Sequence, residues 1–164
     1  MGRRSHHRAL DLWMNGDFVG VWSVQPQIGE TLQYDEAWTA SGRGRPLSLS
    51  LPFTPGNPPH RGQIVRSYFE NLLPDSQNIR ERVARRFQAG STDAFSLLAE
   101  VGRDCVGAVQ VMPRGVAPDP VTQVDAIALS DAQVAQALRS TLTPGPLGGR
   151  NADADDGFRI SIAG

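Results

Sequence analysis

The sequence predicts an α+β fold: a mainly antiparallel sheet with segregated helices, followed by a linker and a lone strand. Three observations predict it. Near the start, "ALDLWMNGDFVGVWSV" holds two apolar-rich runs joined by Asn15-Gly16, a pair that favours the tight turn of a hairpin. Between residues 62 and 101 the apolar residues recur at helical rather than strand spacing. Near the end, "TPGPLGGRNADADDG" cuts the last helical pattern off from "FRISIAG".

The hairpin places Leu10, Leu12 and Met14 on one face and Trp13 on the other. "ETLQYD", residues 30–35, reads as a third strand. "PLSLSLP", residues 46–52, has the cleanest period of two in the chain. It predicts a strand with Leu47, Leu49 and Leu51 buried and Ser48 and Ser50 facing out. "FTPGNPPHRG" is a turn-rich loop. A helix over 62–72 carries Ile64, Val65, Phe69 and Leu72. Pro74 stops it, and Asp75 or Ser76 caps the next helix, over 77–88. There Ile79, Val83 and Phe87 form an inward stripe, and Arg80, Arg82, Arg85 and Arg86 cover much of the rest. Gly90 closes that helix, and Ser91 or Thr92 opens a third through about Val101. Residues 105–113 return to strand, and 123–129 form a short one. A fourth helix, in 129–142, starts at Ser130 as N-cap and turns Val134 and Leu138 inward. In "FRISIAG", Phe158, Ile160 and Ile162 alternate with Arg159 and Ser161, and Ala163-Gly164 begins a turn.

Composition bounds the function. The 164 residues suit one domain of ordinary size plus a tail, and 40% hydrophobic content supports a real core. A net charge of −1 gives no global pull toward nucleic acid or anionic lipid. Cys105 is the single cysteine, so no internal disulfide forms, which fits a reducing compartment. No apolar run is long enough to cross a bilayer, and basic "MGRRSHHRAL" lacks the apolar stretch of a signal peptide. A cytoplasmic protein with no membrane partner is expected. All 16 non-histidine basic residues are arginine. Arginine holds phosphate but supplies no titrating amine, so lysine-dependent phosphate anchors are closed to this chain alone.

Candidate reaction centres are few. His6, His7 and His60 are the only histidines, and no spacing among them and Cys105 matches a metal motif, so no metal site is expected. His60 reads as an exposed, unemployed loop residue. Asp153, Asp155 and Asp156 lie in the linker with nothing to desolvate them. The arginine-rich helix reads as a solvated face. In "GRDCVGAV", Gly102 reads as a helix C-cap, and Gly107 interrupts a strand that passes close to another backbone.

Five stretches together carry more. "LDLWMNGDFVGVW", "RPLSLSLP", "FENLLPDSQNIRERV", "LLAEVGRDCVGAVQVMP" and "DDGFRISIAG" resemble the HipA family of bacterial serine/threonine-kinase toxins, in that family's order and spacing. They cover residues 9–113 and 155–164. The resemblance implies a basic leader (1–8), a HipA-like N-terminal subdomain (9–142), a linker (143–157), and the first strand of a kinase-like lobe with the start of its glycine-rich loop (158–164). It implies autophosphorylation at Ser161 and nucleotide contacts at Ala163 and Gly164. The phosphate-anchoring lysine, catalytic aspartate and magnesium ligands would lie in further sequence, so no catalytic residue is expected in this chain. ATP and Mg2+ would serve the full-length kinase. Implied partners are the remaining kinase lobe, a helix-turn-helix (HipB-like) antitoxin dimer, operator DNA through that antitoxin, and a protein substrate such as a translation factor. The alternative is a stand-alone binding module that restrains a separate HipA-like kinase as an antitoxin.

Overall fold

Asn15 and Gly16 both take positive φ, 52° and 83°, as a two-residue hairpin turn requires. The turn joins β1 (Arg8–Met14) to β2 (Asp17–Gln25). These are the first elements of a computed structural model that describes residues 8–104, 108–119 and 128–142. The described residues fall into two parts, 8–104 with 108–119 and then 128–142.

In the first part, β3 (Gly29–Tyr34), the two-residue β4 (His60–Arg61) and β5 (Val109–Pro113) complete a five-stranded sheet in the order β4-β3-β2-β1-β5. Every described pairing is antiparallel. The α+β class is therefore as expected. A bulge sits where Leu12 faces Gly20 but Trp13 faces Phe18. The extra residue, Val19, is buried, and its carbonyl accepts the Asp35 amide at 2.9 Å. The bulge thus steers β3 into the helix beyond it.

One face of the sheet builds the core. Leu10, Leu12 and Met14 of β1, Trp22 of β2, Leu32 and Tyr34 of β3, and Val109 and Val111 of β5 are all buried there. Helices α2 (Gln63–Glu70) and α4 (Ala94–Val101) cover that face. Phe69 of α2 stacks on Trp22 with centroids 3.7 Å apart and planes 7° from parallel, and Phe95 of α4 tilts against the same indole at 4.8 Å. Such ring pairs add roughly 0.5–1.5 kcal/mol beyond area burial. On the opposite face Trp13 meets Phe18 edge-on, and Ser23 and Thr31 exchange a hydroxyl bond of 2.7 Å. Buried Asp11 accepts from the Arg114 guanidinium and, at 2.8 Å, from the Gly115 amide.

Several expectations are corrected. Residues 46–52 form no strand: Leu51 is buried and Leu47 half-buried, but Leu49 is 98% exposed. Hydroxyl bonds fold this stretch into a turn, with the Ser50 amide donating to Ser48 Oγ at 3.2 Å and the Leu51 amide to the Ser48 carbonyl at 3.0 Å. Two short elements were not foreseen: α1 (Glu36–Ala40), capped by Asp35, and β4. The helix α3 (Gln77–Phe87) exists, but its stripe is rotated. Ile79 and Phe87 are 44% and 43% exposed, while Val83 and Ala84 pack on the core and the Arg80 side chain turns inward. It ends on Gln88 in the left-handed conformation rather than on Gly90. The next cap is Asp93, not Ser91 or Thr92. Gly102 does end α4, opening a short 3-10 turn (Gly102–Asp104). Gly107 lies outside the described residues, as do Cys105 and residues 123–127.

In the second part, α5 (Asp131–Leu142) begins at Ser130 as expected. Ser130 Oγ accepts the Gln133 amide at 3.4 Å, and Gln133 Oε1 accepts the Ser130 amide at 2.9 Å, a reciprocal capping box. Val134 and Leu138 do not turn inward; they are 43% and 57% exposed. Residues 128–130 carry no strand.

Gly102 is fixed by space: an added Cβ would sit 2.6 Å from Val111 Cβ and 3.1 Å from the Val111 carbonyl oxygen. Gly102→Ala therefore forces α4 away from β5 and should cost about 1–3 kcal/mol. A lowered urea midpoint checks this; an unchanged midpoint contradicts the close packing.

Candidate functional site

The residues after α1 are irregular in backbone but tied down at many points. Asp35 Oδ1 accepts the amides of Ala37 at 2.9 Å and Trp38 at 3.3 Å, which starts α1 and sends Trp38 into the core. Trp38 Nε1 then donates to the Arg45 carbonyl at 3.0 Å. Buried Tyr34 takes the middle of the loop: its hydroxyl donates to the Leu51 carbonyl at 2.7 Å and accepts the Leu47 amide at 2.9 Å. The ring lies edge-on to Phe53 at 4.9 Å and to His60 at 5.8 Å. His60 Nε2 donates to the Pro52 carbonyl at 2.9 Å. Asn57 Nδ2 donates to the Tyr34 carbonyl and Gln33 Nε2 to the Asn57 carbonyl, each at 2.9 Å. Burial raises the Tyr34 pKa, outweighing the Leu47 amide bond, which lowers it, so the phenol stays a donor. His60 is thus half-buried and employed, contrary to the sequence expectation.

The charged features lie elsewhere in this part. On α3, four arginines stand against one glutamate. Arg80 pairs with the Glu70 carboxylate and donates from Nε to the Pro74 carbonyl at 2.7 Å, locking α3 to the end of α2. Arg82 and Arg85 are exposed, as a solvated face requires, and Arg86 lies 5.7 Å over the Phe87 ring. Glu30 accepts the Trp22 indole N–H at 3.1 Å. Burial raises its pKa, more than the Trp22 bond and the Arg66 charge lower it. Burial would also raise Asp93, but bonds from Ser91, the Ser96 hydroxyl and the Ser96 amide, with the charge of Arg8, hold it below the usual carboxylate range.

Of the residues singled out from sequence, Ser161, Ala163 and Gly164 lie outside the described residues, as do His6, His7, Asp153, Asp155 and Asp156. Among the described residues, no group of three or more His, Cys, Asp or Glu side chains is placed to hold a metal ion. No helix among them is long and apolar enough to cross a membrane. The pinned loop was the feature sequence reasoning missed. Its available signals were Asp35 three residues before Trp38, a capping spacing, and Tyr34 ending a strand just ahead of a proline-bounded leucine run.

These features define a class: an α+β domain whose sheet carries helices on one face and fixes an irregular loop at its β3 end. A family profile described as "HipA N-terminal domain" matches residues 10–112, from β1 into β5, and the chain belongs to that family. It is also similar to a Sinorhizobium fredii protein named "Putative kinase Y4mE", at 29% identity over 160 residues. That alignment covers 96% of this chain and 36% of the relative, so the chain spans about a third of the relative's length.

Two outcomes test the geometry. Tyr34→Phe removes both loop bonds and leaves the buried Leu51 carbonyl and the half-buried Leu47 amide without this partner, costing about 1–3 kcal/mol. Amide exchange at residues 47–51 should accelerate with it; unchanged exchange contradicts the pin. Glu30→Gln keeps an acceptor for Trp22 without the charge. The raised folded pKa means that Glu30 favours the fold below its unfolded pKa and loses that contribution as pH rises through the folded value. Thermal midpoints of wild type relative to Glu30→Gln should therefore rise as pH is lowered from 7 toward 4. A pH-independent difference contradicts the burial of that carboxylate.

Proposed function

We propose that this chain is the N-terminal part of a HipA-like serine/threonine protein kinase, the toxin of a type II toxin-antitoxin system. The family match across the whole sheet and α1–α4 carries this reading, and the kinase name of the Sinorhizobium relative supports it. The full protein would arrest growth by phosphorylating a translation factor such as an aminoacyl-tRNA synthetase. This domain would contribute scaffold and docking surface for a helix-turn-helix antitoxin dimer, which brings the complex to operator DNA.

ATP and Mg2+ would be held by the kinase portion. A lysine-free chain offers no lysine to anchor the ATP phosphates. Ala163 and Gly164 would begin the loop over the ATP phosphates, and Ser161 would be the self-phosphorylation site. Phosphate there adds about −1.5 to −2 charge, which pulls the loop from an anionic nucleotide and switches the enzyme off.

The test is labelling. Purified residues 1–164 incubated with Mg-ATP should transfer no phosphate. The polypeptide that carries this domain at its head should label itself at Ser161, and Ser161→Ala should abolish the label with the thermal midpoint unchanged. Label that persists in the Ser161→Ala protein would refute that assignment, and phosphate transfer by residues 1–164 alone would refute the scaffold reading.

A further inference from the structure

Among the described residues, α3 is the one helix of the first part with no fully buried side chain; α1, α2 and α4 each bury at least one. At 11 residues it is too short to hold in water without tertiary cover. What cover it has comes from half-buried Val83 and Ala84, and from Arg80, which ties it to Glu70 and Pro74. The rotation of its apolar stripe leaves Ile79 and Phe87 exposed, one on either side of Val83 at i,i+4 spacing. Two large apolar side chains, about two turns apart, thus stand open along one side of the helix. Arg82 and Arg86 run beside that row at i+3 and i+7 from Ile79, and the Arg86 guanidinium lies 5.7 Å over the Phe87 ring. The helix dipole accounts for the sign of Arg86, in the last turn, but not for that of Arg82. Arg82 is exposed and makes no ion pair among the described residues. Glu81, the only acid in α3, falls on the far side by helical spacing, where it accepts from Gln77 at 3.4 Å.

We propose that the Ile79–Phe87 side of α3 docks an acidic amphipathic helix of another protein. The apolar row meets the apolar stripe of such a helix, and the arginine row beside it selects acids on the flank. A second copy of this chain fits poorly, because a two-fold contact through α3 sets one arginine row against the other. A nucleic acid would use Arg82 but lay its charged backbone over Ile79. A solvated face accounts for Arg82 by itself, but not for a cationic row laid along two open apolar side chains. The contact needs no phosphate transfer, so it stands apart from the kinase reading.

Two fluorescent peptides of about 15 residues, long enough to form a helix, test it. Each carries leucine at i,i+4 spacing; one has glutamate on the flanks and the other lysine. Fluorescence anisotropy reads binding to residues 1–164, and hydrogen exchange over residues 77–88 locates it. The glutamate peptide should bind about tenfold more tightly than the lysine peptide and slow exchange in α3. Arg82→Glu should weaken the glutamate peptide about fivefold and strengthen the lysine peptide. Its thermal midpoint should be unchanged, because the side chain is exposed, so that loss cannot come from unfolding. Ile79→Ser and Phe87→Ser should each weaken the glutamate peptide about tenfold, and Ile79→Leu should keep its binding. No binding of the glutamate peptide, equal binding of the two peptides, or binding that survives both serine variants overturns the proposal. Tighter binding of a single-stranded oligothymidylate of similar length also overturns it, because the partner is then a nucleic acid. So does self-association of residues 1–164 that Ile79→Ser abolishes, because the occupant is then a second copy.

Discussion

One buried hydroxyl group holds the irregular loop beside β3 in place. Tyr34 ends β3 on the core side of the sheet, and its phenol reaches across to both legs of the adjoining loop. A stretch bounded by Pro46 and Pro52, with no strand partner, has backbone groups that water would otherwise claim. By giving Leu47 an acceptor and Leu51 a donor, Tyr34 lets those leucines pack on the core while the chain between them reverses. Trp38 and His60 then complete the fixation from α1 and β4. Without the phenol, the bonds at Arg45 and Pro52 tie only the ends of this stretch to the rest of the domain.

The rest of the architecture serves that arrangement. The bulge at Val19 hands its carbonyl to Asp35, Asp35 caps α1, and α1 delivers Trp38 to the loop. The Trp22–Phe69 stack fixes α2 on the sheet, and Arg80 carries α3 along through Glu70. The result is a frame of side chain–backbone bonds around the loop. Its cations are arginines without exception, groups that pair and dock but do not shuttle protons at neutral pH.

The hairpin, the third strand, the break after α2 and the start of α5 were legible because turn pairs, period and caps are local signals; the end of α3 and the cap of α4 were misplaced by one to two residues. Asn15-Gly16, Pro74 and Ser130 each act within a few residues. The core face of β1 followed from alternation alone. The leucine run at 46–52 misled for a physical reason: period two reports alternate burial, and a hydroxyl-bonded turn can bury Leu47 and Leu51 without a ladder. The stripe on α3 misled because Arg80 turns inward to Glu70 and Pro74, partners that helical spacing does not report. His60 looked idle because its partners, Tyr34 and Pro52, come from other segments. The roles expected of Ser161, Ala163 and Gly164 came from the resemblance alone; local pattern gave only a strand running into a turn.

The central claim is that an irregular loop is as rigid as the sheet that pins it. Backbone 15N relaxation on residues 44–53 of the purified chain measures this most directly. Order parameters near ~0.85, equal to those of β2 and β3, are predicted. Values below ~0.6 across Leu47–Leu51 would contradict the account, because a loop that moves on its own is not held by the Tyr34 hydroxyl.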